Sequence, residues 1–148
     1  MASEAEYELV LTDAPEASAR EAILRPLVAF NEAQIGPSDG RPLALLLREP
    51  AGGAVTGGLW GRTSWGWLFI ELLAVPEHLR HQRLGSELMR QAEAEAARRG
   101  CIGVRLDTFS FQALGFYQKL GYAVFGQLDD HPPGHSRYFL SKRLPAAG

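Results

Sequence analysis

The sequence predicts a mixed α/β fold, one twisted sheet flanked by helices, and three observations carry that prediction. An apolar stretch from Trp67 to Val75 is followed by a helical repeat at Leu84, Leu88, Met89, Ala92 and Ala96, and then by Ile102, Val104 and Leu106 alternating with Gly103, Arg105 and Asp107. This is a strand, a crossover helix and a second strand, and the crossover length implies that the two strands lie parallel. Before this unit, apolar runs separated by short Gly- and Pro-containing segments read as hairpin strands; after it come two further strand patterns.

The elements follow in order. Tyr7 to Thr12 is rich in strand formers and hands over to a helix at Asp13 and Glu16, which have capping-box spacing. Ile23, Leu24, Leu27, Val28 and Phe30 make the apolar stripe of that helix, while Pro26, lacking an amide hydrogen, predicts a kink or two short helices. Gly36 to Gly40 is a turn cluster placed to border an open site. The continuous apolar run from Pro42 to Leu47 suits a strand buried on both faces. Pro50 to Gly53 is a hairpin turn, and Ala54 to Trp60 and Trp67 to Val75 are strands linked by Gly61 to Gly66.

The main helix gains an ion pair from Glu95 to Arg99 and stops at Gly100. The strand from Ile102 to Asp107 follows, then an amphipathic helix from Phe111 to Leu120, ended by Gly121. Strands at Tyr122 to Leu128 and Arg137 to Leu144 flank a loop of Asp129, Asp130, His131, Pro132, Pro133, Gly134 and His135, and the tail Pro145 to Gly148 is expected to fray.

Composition bounds the function. At 148 residues the expectation is a single domain spanning 1–148. Fifteen basic against 17 acidic residues give a net charge of −2, without the basic footprint of a nucleic-acid binder. Cys101 is the single cysteine, so no intramolecular disulfide and no CxxC motif can form, which fits a reducing cytoplasm. No basic leader and no long uncharged apolar run point to export or a membrane. His131 and His135 lack the spacing and additional ligands of a metal site.

The segment carrying most chemistry runs from Val75 through Pro76, Glu77, His78, Leu79, Arg80, His81, Gln82, Arg83, Leu84 and Gly85 to Ser86. A strand end, a basic turn and a helix start in succession form an anion site, because the first helical amides have no internal partner and face outward with the positive end of the macrodipole. Arg80, His81 and Arg83 add positive character, and Gly85 removes a side chain where a ligand or strand comes close. An ordinary basic turn explains the same residues equally well.

This segment, with a second one, resembles the GNAT superfamily of acetyl-CoA-dependent N-acetyltransferases. Arg80-His81-Gln82-Arg83-Leu84-Gly85 matches the Q/R-x-x-G-x-G/A signature at its first and last positions, with Arg83 in place of the middle glycine. Ala113-Leu114-Gly115-Phe116-Tyr117-Gln118-Lys119-Leu120-Gly121-Tyr122 looks like the family's A-x-x-F/L-Y-x-K-x-G-F segment, with Ser110 where an asparagine is common. The order of elements agrees from Tyr7 to Leu144.

The resemblance implies the acyl-CoA N-acyltransferase fold, in which the parallel strands splay open to admit the cosubstrate, acetyl-CoA. It places Leu73, Ala74 and Val75 against the pantetheine arm, Arg80 to Ser86 against the pyrophosphate, and Ser110, Phe111, Phe116, Tyr117 and Lys119 along the rest of the cofactor. It implies direct attack of a primary amine, of a small molecule or a peptide, on the thioester. Tyr117 then protonates the departing thiolate, although a Phe116-Tyr117 pair on a helix is also ordinary core packing. The amide of Leu73 is the candidate oxyanion donor.

Glu71, the lone carboxylate of the central strand, is the candidate base, its partial burial raising its pKa; a solvated edge or pairing with Arg105 is the alternative, and Asp107 is the reserve. Trp60, Trp65 and Trp67 with His131 and His135 are candidates for the acceptor pocket, against ordinary packing, and Asp129 and Asp130 are placed to attract a cationic amine. Two other readings stand beside catalysis: a non-catalytic acyl-CoA sensor of the same fold, and an α/β adaptor that binds no CoA. A homodimer through the C-terminal strand is compatible with the sequence but not demanded by it.

Overall fold

The computed structural model describes residues 6–146, apart from the side chains of His81 and Gln82. The chain divides into two compact units, one ending at Pro37 and the other starting at Ser38.

The first unit contains α1 (Ala17–Ile35). Tyr7 to Thr12, expected as a strand, joins no ladder among the described residues. Strand-forming residues make a strand only when a neighbour offers backbone partners, and a short apolar run cannot supply these itself. The capping box is also absent: α1 starts at Ala17 with Glu16 as an N-cap that makes no side-chain cap, while Thr12 Oγ1 accepts from the Ala14 amide at 3.0 Å. Pro26 sits within one continuous helix and does not divide it. Its ring removes one donor, and the turns on either side of a 19-residue helix carry on around the gap.

The second unit is a six-stranded mixed sheet in the order β1-β2-β3-β4-β6-β5. Its strands are β1 (Arg41–Arg48), β2 (Val55–Ser64), β3 (Trp67–Ala74), β4 (Gly103–Phe109), β5 (Ala123–Asp129) and β6 (Ser136–Arg143). Its helices are α2 (Leu84–Arg98) and α3 (Leu114–Lys119), with a 3-10 turn at Glu77–Gln82.

β1 is an edge strand with one covered face, not the doubly buried strand its apolar run suggested: Leu43 is buried, Leu45 and Leu47 are half-buried, and Ala44 and Leu46 are exposed. Only the face turned to α2 is covered within this unit. β2 and β3 extend to a two-residue turn at Trp65 and Gly66, with φ of 44° and 76°, replacing the six-residue link expected at 61–66. Two positive φ values match the twist of a tight hairpin, which lets both strands run on.

α2 buries Leu88, Met89, Ala92 and Ala96 on Leu59, Leu68, Ile70, Val104, Leu106 and Leu140 of the sheet. The expected Glu95–Arg99 pair forms at 2.8 Å, and Arg99 also donates to the Pro42 carbonyl and Thr63 Oγ1. A second polar tie joins three elements: the Tyr122 hydroxyl donates to Glu93 of α2 at 2.8 Å, and Lys142 of β6 reaches the other oxygen of Glu93 at 2.8 Å. α3 is shorter than the Phe111 to Leu120 helix expected. The residues before it are used to finish β4: Gln112 Oε1 accepts from the Phe109 amide and Thr108 Oγ1, and the Ser110 amide donates to Ser136.

Candidate active site

The parallel pair that anchors the site separates halfway along. β3 pairs with β4 from Trp67–Gly103 to Ile70–Leu106 and no further. On its other side β3 pairs Leu72 with Trp60 and Ile70 with Gly61, so Glu71 is an extra residue, a β-bulge. A bulge bends the strand that carries it, and here the bend coincides with the point where β3 leaves β4. Beyond it, no ladder joins Glu71–Ala74 to Asp107–Phe109, so the main chain of Leu73, Ala74 and Val75 is not engaged by β4.

The chain then passes Pro76 and the 3-10 turn to Arg83, which takes the left-handed conformation (φ 58°, ψ 26°) before α2 begins. Arg83 therefore adopts the backbone shape that a glycine would occupy in the signature, at a cost of about 1–2 kcal/mol for a residue with a Cβ. Both it and Arg80 are exposed, and Arg80 Nε donates to the Val75 carbonyl at 3.2 Å, so this acceptor is already engaged. The side chains of His81 and Gln82 lie outside the described residues. Leu84 is half-buried and Ser86 is exposed in the first turn of α2.

Gly85 has a packing reason. A Cβ there would sit 3.3 Å from Phe116 Cζ and 4.0 Å from Val75 Cγ2, so the start of α2, the end of β3 and α3 converge at this residue. Phe116 in turn packs edge-on against Tyr117 at 5.1 Å.

Tyr117 is buried, 8% exposed, between Phe116 and Tyr122. Its hydroxyl makes no hydrogen bond within the described chain, yet no buried side-chain oxygen among the described residues lacks a partner. The ring is therefore packed while the oxygen opens onto accessible space. Burial, and secondarily the negative charge of Asp107, push the phenol above its ordinary value of 10.0. It remains a proton donor at neutral pH.

Several other expected residues fall differently. Glu71 is exposed, without an ion pair or hydrogen bond among the described residues, so the partial burial expected of it is absent; Arg105 instead lies over the Phe69 ring at 4.1 Å. Asp107 is held by Arg137, whose Nε and Nη2 donate to its Oδ1 at 2.9 and 2.6 Å. Ser110 Oγ accepts from the Ser136 amide at 3.0 Å, tying β4 to β6, and Lys119 is exposed at the end of α3. Trp65 is in the β2–β3 turn, at the opposite end of β3 from the opening, about 16 Å from Ile70 at strand rise. It does not join the site, and neither does Trp67, which covers Gly103 at that same end. Trp60 lies opposite Leu72 beside the bulge, 47% exposed.

At the mouth, Phe111 stacks on Phe109, and His135 and His131 approach these rings edge-on. Phe109 and Arg137 carried no signal in the sequence: an alternating strand position and a strand start look alike wherever they occur, and only the β4–β6 register, which sets Phe109 opposite Arg137, joins them to Asp107.

A parallel pair whose ladder stops halfway, a helix start beyond its end and a packed tyrosine on α3 agree with the fold that the sequence resemblance implies. The chain matches the model of the acetyltransferase (GNAT) family over residues 7–122, and it belongs to that family. It is 43% identical to an acetyltransferase of Agrobacterium fabrum over 91% of this chain and 98% of that one. It is 41% identical to the blasticidin-S acetyltransferase of Streptomyces morookaense over 72% of this chain and 80% of that protein. A solved acetyltransferase structure from Agrobacterium tumefaciens superposes with a TM-score of 0.86 at 41% identity, covering 93% of this chain and all of that one. The chain is an acetyltransferase. No helix among the described residues is long and apolar enough to cross a membrane.

Proposed function

We propose that this chain moves the acetyl group of acetyl-CoA to a primary amine of a small molecule or peptide by direct attack. The observation that supports the reading is Tyr117, a phenol held protonated by burial, with no hydrogen-bond partner for its hydroxyl among the described residues and close enough to Asp107 of β4 to feel its charge. The residues present fit the cosubstrate: main chain of Leu73 to Val75 along one wall, and Arg80, Arg83 and the first amides of α2 for a diphosphate. Bound acetyl-CoA supplies an activated acetyl thioester.

The chain's own groups supply the rest. The Leu73 amide donates to negative charge developing on the acyl oxygen. Tyr117 gives its proton to the departing sulfur as the new carbon–nitrogen bond forms. Glu71, exposed at the bulge, is the group that takes the amine's proton, directly or through water, since Arg137 already holds Asp107. The family match crosses the boundary between the two units, which supports reading 1–148 as one transferase domain. The name of the Streptomyces relative supports a small-molecule acceptor. A lone buried thiol, Cys101, suits a reducing cytoplasm.

Thiol release from acetyl-CoA in the presence of amines tests this. Tyr117→Phe is expected to lower kcat about 100-fold, the lower end for loss of a positioned acid, while CoA affinity by calorimetry stays within about twofold. Amine-independent or absent thiol release by the wild type, with CoA still bound, would favour a sensor.

A further inference from the structure

The rings of Phe109 and Phe111 are stacked, 7° from parallel with centroids 5.3 Å apart. His131 meets Phe109 edge-on at 5.8 Å, and His135 meets Phe111 at 5.0 Å. Core formation does not explain this cluster, since Phe111 remains 58% exposed. Its position is specific: Asp107 and Phe109 alternate on one face of β4, beyond Leu106, the last residue that β3 pairs.

The electrostatics are lopsided. Arg137 donates twice to Oδ1 of Asp107, and Oδ2 accepts from no group among the described residues. Asp129 and Asp130 open the loop that carries both histidines; Asp129 Oδ1 accepts from Gln127 and Ser136, and Asp130 Oδ1 from the Gly134 amide. Arg137 thus pairs with one carboxylate, Asp107, and lies over the Phe109 ring, while Asp129 and Asp130 add two more carboxylates in the adjoining loop.

We infer that this shelf is the acceptor subsite and that it selects a planar, cationic acceptor, an amine attached to an aromatic amidine or guanidine, seated on Phe111 with its charge toward Oδ2 of Asp107. The inference rests on the transferase reading and adds the acceptor class to it. Aromatic faces attract flat π systems and cations together, so a flexible aliphatic diamine gains the charge without the stacking. An anionic ring gains the stacking and meets the carboxylates.

Three primary amines separate these contributions: para-aminomethylbenzamidine, hexamethylenediamine and para-aminomethylbenzoate, each assayed with the full chain and acetyl-CoA. The benzamidine is expected to show a kcat/KM about tenfold above either of the others, the scale of one cation–π and stacking contact. Phe111→Leu, a change at an exposed position, is expected to collapse the benzamidine-to-diamine ratio through KM, and Asp107→Asn the benzamidine-to-benzoate ratio. Equal ratios in the wild type, or a Phe111→Leu variant that weakens acetyl-CoA instead, overturn the inference. Calorimetry with the benzamidine alone keeps the two readings apart. Binding that weakens in Phe111→Leu without any turnover defeats the transferase reading and leaves the shelf standing, whereas turnover of other amines with no benzamidine binding defeats the shelf alone.

Discussion

The two halves of the β3–β4 pair have opposite designs. From Trp67 to Ile70 the strand is laddered to β4, with Leu68, Ile70, Val104 and Leu106 buried under α2 and Phe69 covered by Arg105. From Glu71 onward it is bulged, with Glu71, Leu72 and Ala74 exposed and no ladder to β4. One strand is core in its first half and, in its second, unpaired on the β4 side where the candidate site is proposed, and a single extra residue marks the change. Stability is concentrated where the backbone is paired and side chains are sealed; chemistry is placed where pairing fails, because only there can main chain and side chains meet a ligand.

Substitutions on either side of the bulge should therefore have different consequences. Leu68→Ala, in the closed half, is expected to cost about 3 kcal/mol in denaturant unfolding, the scale of a fully buried leucine truncated in a packed core, with little change in KM for acetyl-CoA. A comparable loss from Leu72→Ala, in the open half, would remove the distinction. Gly85→Ala, where α2, β3 and α3 converge, pushes on Phe116 at 3.3 Å and is expected to weaken CoA binding severalfold at a stability cost of about 1 kcal/mol.

Arg83→Gly should relax the left-handed residue and raise stability by about 0.5–1 kcal/mol, while CoA affinity falls with the lost cation; calorimetry and thermal unfolding read the two separately. Because Tyr117 lies above its ordinary 10.0, the alkaline limb of kcat that depends on Tyr117 should appear above pH 10 and vanish in Tyr117→Phe. The smallest effect belongs to the surface of α2. Glu87, held down to about 2 by Arg90 and Gln91, and Glu95, lowered by Arg99 and Arg98, have folded-state pKa values below the ordinary carboxylate value. Their contribution is complete above pH 4.5, is lost as pH falls toward about 2, and should largely disappear in high salt, as acid titration of α2 helicity would show.

The βαβ core was legible in the sequence because a parallel pair needs a crossover helix, and periods of two and 3.6 residues are written directly in residues 67–107. Tyr117 and Gly85 were legible through motif spacing. The N-terminal segment and β1 depart from their sequence patterns for a common reason: Tyr7 to Thr12 and Pro42 to Leu47 have strand composition, but what pairs with a strand or covers its faces is not a local property. The helix starts later than the Asp13–Glu16 spacing suggests because a side-chain cap competes with the local turn that Thr12 makes with Ala14.

The sequence by itself determined which segments are strands and helices in the central unit, the family and the place of Tyr117 on α3, since each depends on neighbours a few residues apart. Tertiary structure alone decided that Glu71 is a bulge, that Asp107 is gripped by Arg137 thirty residues away, and that Phe109 and Phe111 stack at the open end of the sheet. Those features come from register and strand order, which bring distant residues within bonding range, and no periodicity along the chain encodes such distances.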